Sequence, residues 1–265
     1  MNMLQQKWRR LREAAAVAGH GATAGDRATL FTSYLRLLVQ PPGTRTRTVS
    51  MRIGTLVHPV TFRESDIFTF GEILFEQQYR LPERLPPGAV IMSAGANIGI
   101  MSLMLLGMYP DATLHVFEPD PVNAGLLRTN LSGIARATVH ECALGDADGT
   151  LTLHFGAHQA EHSLIAGAED HGGVAVRCRR LDGVMAELGV SRIALLKVDV
   201  EGSEVAVMRG LGDRVRDVDV VVGEFHESIV REEDFYPWLE ATGFRITVRE
   251  RALDGGPVHL FRLDR

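Results

Sequence analysis

Three short segments combine the residue types that ligand chemistry needs. Ser93-Ala94-Gly95-Ala96-Asn97-Ile98-Gly99 follows an apolar run. Its glycines allow a tight turn and close approach of the backbone to a ligand, and a helix starting there offers unpaired N–H groups. The spacing is G-x-x-x-G, so the dinucleotide pattern G-x-G-x-x-G is not met. Glu118, in His115 to Asp120, follows about 20 residues later, where a carboxylate commonly accepts from both hydroxyls of a ribose. Turn and carboxylate together point to a nucleoside-containing ligand. The third segment is Lys197-Val198-Asp199-Val200-Glu201-Gly202-Ser203-Glu204. A period of two puts Lys197, Asp199 and Glu201 on one face. A lysine in an apolar strand must meet a carboxylate or project into a wet cleft. A plain turn, a helix-capping carboxylate and a structural salt bridge are the ordinary alternatives for these three segments.

The elements that must position them form a repeating pattern. Helices are expected at 1–18 and 28–39, a strand pair at 48–57 and 60–63 turning near His58-Pro59, and a helix at 67–78. Its Ile67, Phe70, Ile73 and Leu74 make one apolar stripe. From Leu85 the pattern becomes strand, helix, strand. Strands are expected at 89–94, 113–117, 137–140, 193–198 and 218–224. Helices are expected at 98–108, 121–131, 181–188, 203–211 and 234–242. Segments 150–155 and 174–177 form a β excursion, and 244–248 with 258–262 close as a hairpin. Near-continuous apolar strands alternating with helices predict a doubly wound α/β sheet, mostly parallel, with one antiparallel terminal hairpin. Residues 1–80 then form a helical and β extension before a domain at 81–265. In such a sheet, ligands bind beyond the carboxyl ends of the strands, where all three segments fall.

The motifs VIMSAGANIG (Val90 to Gly99), VFEPD (Val116 to Asp120), ALGDADG (Ala143 to Gly149) and LKVDVEGSE (Leu196 to Glu204) resemble FkbM-type S-adenosylmethionine-dependent methyltransferases. Upstream, RESDIFTFGEILFEQQY (Arg63 to Tyr79) is similar to the segment preceding the core in one branch of that family. The resemblance implies a class I Rossmann-like fold and methyl transfer to a hydroxyl. It places Ser93, Gly95, Ala96, Asn97 and Gly99 at the methionine part of the cofactor and Glu118 on the ribose. Ala143, Leu144 and Asp146 would flank the adenine. Asp199 and Glu201 would lie near sulfonium and acceptor. The family commonly has Asp where this chain has Ser93, which removes a carboxylate from the cofactor's amino-acid end. Serine still accepts a hydrogen bond, so weaker binding is expected rather than none.

Methyl transfer from a sulfonium demands collinear positioning, and an alcohol needs a base to accept its proton. Asp199, Glu201, Glu224 and His226 are the candidates, and His226 ranks first because imidazole titrates nearest neutral pH. Its alternative is ordering the loop after the strand. Lys197 would orient a carboxylate or the acceptor oxygen. His154, His158 and His162 recur every four residues, but a loop over the acceptor site, with His162 and Ser163 touching substrate, is preferred to a metal face. A divalent ion such as magnesium on Asp199 and Glu224 is weighed and not favoured.

Composition narrows the partners. With 45% hydrophobic residues, 27 Gly and 2 Cys in 265, the chain reads as globular, neither disordered nor disulfide-stapled. A net charge of −5 argues against nucleic acid, and no apolar run approaches a membrane span. Cys142 and Cys178 lie far apart, and a reducing cytoplasm is expected. Of the 28 basic residues only Lys7 and Lys197 are lysines. The expected activity is O-methylation of a small molecule, a sugar or polyketide-type metabolite. The N-terminal helices would supply acceptor pocket, lid or a homodimer contact. The alternatives are an S-adenosylmethionine-binding protein without turnover and an NAD-type oxidoreductase, which needs a third glycine in the turn.

Overall fold

The computed structural model describes residues 3–37, 43, 45–156, 162–165, 172–227, 231–251 and 258–265, the side chains of 3–7 apart. In chain order the elements are α1 (Met3–Gly19), α2 (Ala24–Arg36), β1 (Thr46–Ile53), β2 (Leu56–Arg63), α3 (Ile67–Phe70), β3 (Val90–Ala94) and α4 (Ile100–Met108). There follow β4 (Thr113–Phe117), α5 (Pro121–Leu131), β5 (Ala137–His140), β6 (Ala143–Gly145), β7 (Gly149–His154), β8 (Gly173–Arg180), α6 (Leu181–Glu187) and β9 (Ile193–Val198). The chain ends with α7 (Glu204–Arg209), β10 (Val218–His226), α8 (Glu232–Ala241), β11 (Arg245–Arg251) and β12 (Val258–Asp264). Among the described residues no helix is long and apolar enough to cross a membrane.

The residues group into two compact units. The first gathers Met1–Gln78, Ile98–Pro110 and Leu126–Ser132. Here α2 starts at Ala24, ahead of the expected residue 28, because Thr23 and Asp26 form a reciprocal capping box. Its expected last residues, Leu38 and Val39, lie outside the described residues. β1 and β2 pair antiparallel and turn at Gly54-Thr55, not at His58-Pro59. Gly54 takes φ +57, which suits the tight turn. Pro59 lies inside β2 opposite Ser50. The Ser50 N–H bonds Asp26 Oδ1 and its carbonyl accepts from Ala22, so this pair needs no donor from proline. The helix expected over 67–78 stops early: α3 gives way to a π-helical turn at Gly71–Phe75, and Gln77 has φ +47. The stripe Ile67, Phe70, Ile73 and Leu74 is buried.

Asn130 joins the segments of this unit. Its Oδ1 accepts from Thr61 N at 2.7 Å, and its Nδ2 donates to Thr61 O and Ile98 O, both at 2.8 Å. The amide is fully buried and pairs the outer edge of β2 as a neighbouring strand would.

The second unit contains Tyr79–Asn97, Asp111–Gly125 and Gly133–Arg265. Its seven strands run in the order β11-β12-β10-β9-β3-β4-β5. β10, β9, β3, β4 and β5 are parallel, and β12 lies antiparallel between β10 and β11. All six residues of β9 are buried, as a strand covered on both faces requires. A core including Met92, Phe117, Leu196, Val198, Phe225, Phe235 and Phe261 holds this sheet. Each such side chain contributes roughly 1.5–3 kcal/mol by leaving water. β6, β8 and β7 form a separate three-stranded sheet, the expected excursion. The α/β class, the mostly parallel sheet and the terminal hairpin are as expected. From β3 the chain runs outward through β4 and β5, then returns to β9 on the other side. This reversal opens a crevice at the carboxyl ends of β3 and β9.

Candidate active site

The glycine turn closes β3. Gly95 takes φ +74, and the N–H groups of Gly95 and Ala96 both donate to Phe117 O, at 3.0 and 3.1 Å. These bonds tie the end of β3 to that of β4. Asn97 has φ +50 and Gly99, just before α4, φ +94. The Oγ of Ser93 and Oδ1 of Asn97 are buried without a hydrogen-bond partner among the described residues. Buried polar atoms are rarely left so, and these two are free to meet a bound polar group.

Glu118 ends β4 and is buried. Its Oε2 accepts from Asn97 N at 2.7 Å and its Oε1 from Asp120 N at 3.0 Å. Burial pushes its carboxyl up to about 7, against the downward pull of these two N–H groups. Each oxygen keeps a lone pair for a further donor. Asp120 Oδ2 lies 3.3 Å from His162 Nδ1. Ser163 Oγ donates to the carbonyl of Glu201, and Ser163 pairs its backbone with His154. The short piece around His162 and Ser163 thus touches residues following both β4 and β9. His158 lies outside the described residues.

Ala143 and Leu144 are buried in β6, opposite Cys178 and Arg179. Asp146 differs: it is exposed, and its carbonyl accepts from Arg180 Nη1 at 2.7 Å. Both cysteines are free and buried.

Past β9 stands a cluster of charged groups. Lys197 is only 2% exposed. Its Nζ donates to Gly95 O at 2.7 Å and Asp199 Oδ2 at 3.0 Å, and lies 5.6 Å from the Tyr79 ring centroid. Tyr79 Oη lies 2.8 Å from Asp199 Oδ2 and 3.3 Å from Glu224 Oε1. His226 Nδ1 lies 2.9 Å from Glu204 Oε1, and Nε2 lies 3.2 Å from Glu201 Oε2 and 3.8 Å from Glu224 Oε2. Glu201 reaches this place from a turn with φ +52, not by the two-residue period of the strand, because β9 ends at Val198.

The electrostatics sort these groups. Burial lowers the pKa of His226, but its bond to Glu204 and the charges of Glu201, Glu204 and Asp199 prevail and raise it to about 10. Near neutral pH both ring nitrogens therefore carry protons, and His226, ranked first as base on its residue type, has no lone pair to offer. Burial opposes ionisation of Asp199. Lys197, His226 and the Tyr79 hydroxyl outweigh it and hold this carboxyl below its ordinary value. Glu224 goes well above its ordinary value, through burial and then the nearby Asp199 charge. Asp199, Glu224 and His226 could each bring one ligand atom within 4.8 Å of the others. Asp199 already accepts from the Lys197 ammonium at 3.0 Å, so a divalent cation on this set would stand against that positive charge.

Tyr79 and Glu204 complete the cluster and were not among the expected site residues. Each had a signal: Tyr79 ends the upstream segment that resembles the family, and Glu204 closes LKVDVEGSE.

Comparison with known proteins places this geometry. The family model described as the methyltransferase FkbM domain matches residues 93–246. "Methyltransferase 1" of Beauveria bassiana (strain ARSEF 2860) is 31% identical over 205 residues, covering 68% of this chain and 82% of its own. "Methyltransferase sdnD" of Sordaria araneosa is 32% identical over 220 residues, covering 70% and 84%. "31-O-demethyl-FK506 methyltransferase FkbM" of Streptomyces tacrolimicus is 29% identical over 245 residues, covering 79% and 93%. The family match starts at the glycine turn, takes in Glu118, Lys197, Asp199, Glu201, Glu204, Glu224 and His226, and ends in β11, so the chain is a methyltransferase of the FkbM-domain family.

Proposed function

We propose that the chain is an S-adenosylmethionine-dependent O-methyltransferase acting on a hydroxyl of an uncharged small molecule, a sugar or polyketide-type metabolite. One observation carries the reading: the Lys197 ammonium bonds both the Gly95 carbonyl of the glycine turn and the Asp199 carboxylate. It thereby fixes the proton acceptor against the loop where a cofactor would lie.

The residues fit that cofactor. Ser93 Oγ and Asn97 Oδ1 are buried acceptors in want of a donor, suited to an amino group. Glu118 has lone pairs for two ribose hydroxyls, while Ala143 and Leu144 offer apolar surface to the adenine. When bound, S-adenosylmethionine supplies a methyl group already activated on a sulfonium. Asp199 accepts the proton of the acceptor hydroxyl as that oxygen takes the methyl group. Lys197 holds Asp199 in place and ionised. Burial and the Asp199 charge favour the protonated form of Glu224, which suits it to donate a hydrogen bond near the acceptor oxygen rather than to act as base. His226 anchors Glu201 and Glu204. His162 and Ser163 contribute to the acceptor side. Against the two cations Lys197 and His226, the carboxylates Asp199, Glu201 and Glu204 leave one negative charge in excess, which disfavours carboxylate or phosphate acceptors. The name of the Streptomyces tacrolimicus relative refers to a 31-O position of FK506, which supports transfer to oxygen.

Calorimetry with S-adenosylmethionine, followed by mass spectrometry of a panel of sugars and polyketide alcohols, tests the reading. Saturable binding and a methyl mass increment on a hydroxyl are expected. Absence of binding overturns it.

A further inference from the structure

Tyr79 lies ahead of β3, 8% exposed, and its hydroxyl stands between two carboxyl groups. The distances are 2.8 Å to Asp199 Oδ2 and 3.3 Å to Glu224 Oε1. A phenol has one proton to give. It can donate to one of the two carboxyls, and toward the other it can only accept. That other carboxyl must then bring its own proton. The shorter contact goes to Asp199, whose Oδ2 also receives Lys197 Nζ at 3.0 Å.

Groups from several directions face this pair. Lys197 comes from β9, His226 from the end of β10, and Glu201 and Glu204 from the turn into α7 and its first residue. The cations divide unequally: the ammonium lies against Asp199, whereas the imidazolium stays 3.8 Å from Glu224 and closer to Glu201 and Glu204. Two neighbouring half-buried carboxyls do not ionise together readily. An arrangement with one proton for the pair, on the Glu224 side, satisfies both contacts of the Tyr79 hydroxyl.

We propose that Tyr79 is a positioning residue of this site: its hydroxyl donates to Asp199 and accepts from Glu224, and so determines which carboxyl of the pair is free to take a proton. The proposal deepens the methyl-transfer reading and rests on it for the role of Asp199. It predicts that removing one oxygen atom changes the acidity of two other residues without emptying the site. A tyrosine that only filled space would leave both acidities unchanged.

The test is an infrared titration of the full chain, following the carbonyl band of protonated carboxyl groups in the wild type and in Tyr79→Phe. Glu224→Gln identifies the band by its loss. In Tyr79→Phe the singly protonated range should narrow from both sides, the upper midpoint falling and the lower rising. Each acid constant should change roughly tenfold, the scale of one hydrogen bond to a charged group. Superimposable titrations of the Phe variant and the wild type overturn the proposal. Should Tyr79→Phe fail to fold, the wild type still decides. A Glu224 band lost on titration through the ordinary carboxylate range also overturns it. Calorimetry with S-adenosylmethionine on the wild type separates the two readings. A chain that fails to bind it but keeps the shifted titrations refutes the methyl-transfer role and leaves the Tyr79 arrangement standing.

Discussion

Gly95 and Asp199 approach so closely that a Cβ on Gly95 would lie 1.7 Å from the Asp199 carbonyl oxygen. No side chain fits there, and φ +74 is unfavourable for an L-residue in any case. Gly95→Ala is therefore expected to push the turn and the end of β9 apart. S-adenosylmethionine affinity should fall at least tenfold and the melting temperature by several degrees. Calorimetry and thermal unfolding check both, and wild-type affinity in the variant would contradict the close packing.

The proposed ribose contact of Glu118 predicts a pH-dependent cofactor affinity. Burial holds its carboxyl at about 7 in the free protein, and in the proposed complex the ribose hydroxyls would donate to the ionised form. Binding should thus release a proton, and affinity should weaken as pH falls through about 7, approaching tenfold per unit well below it. Glu118→Gln should bind more weakly and lose this dependence. An S-adenosylmethionine affinity unchanged between pH 5.5 and 8 would refute the ribose role.

His226 makes stability fall on the alkaline side. Its pKa of about 10 in the fold exceeds the ordinary value of 6.5, so the folded state favours the protonated ring. That contribution is fully present below the ordinary value and is lost as pH rises through about 10. Denaturant unfolding across this window should show the decline, on the order of a few kcal/mol. In His226→Gln, which cannot charge, the slope should flatten. The same variant tests the base assignment: Asp199→Asn should abolish methyl transfer, whereas His226→Gln should reduce it while retaining a measurable rate.

Asn130→Ala should destabilise the first unit. Three hydrogen bonds disappear, the one to Ile98 buried and the two to Thr61 half-buried, leaving Thr61 N–H, Thr61 C=O and Ile98 C=O in want of partners. Unsatisfied buried groups cost about 1–3 kcal/mol each where water cannot reach them. A loss of at least 2 kcal/mol on chemical denaturation is expected, and a change under 0.5 kcal/mol would mean that water replaces the amide.

The buried strands were the most legible part of the chain. β4, α5, β5 and β9 begin and end at the residues their apolar runs and turn residues suggest. The glycine turn and Glu118 were equally visible, because a turn and its neighbouring strand end lie close in sequence. Pairing across longer distances was not. Tyr79 meets Asp199 from 120 residues away, and no local pattern reports such a contact. The charge of His226 depends on Glu204, 22 residues earlier, so its residue type alone suggested a neutral base. The β1–β2 turn was misplaced for a different reason. Pro59 reads as a turn residue until the hydrogen bonds of Ser50 show that β2 needs no donor there.

The first unit is assembled from three separate stretches of chain. α4 lies against β1 and β2, and Asn130 holds Thr61 and Ile98 together. A gene fragment starting at residue 81 would encode α4 and Asn130 but none of β1 or β2. Ile100, Leu103 and Leu106, all buried in the whole chain, belong to that orphaned helix. Such a fragment should express as aggregated material, because N-terminal trimming of the methyltransferase core removes the strands that cover this helix.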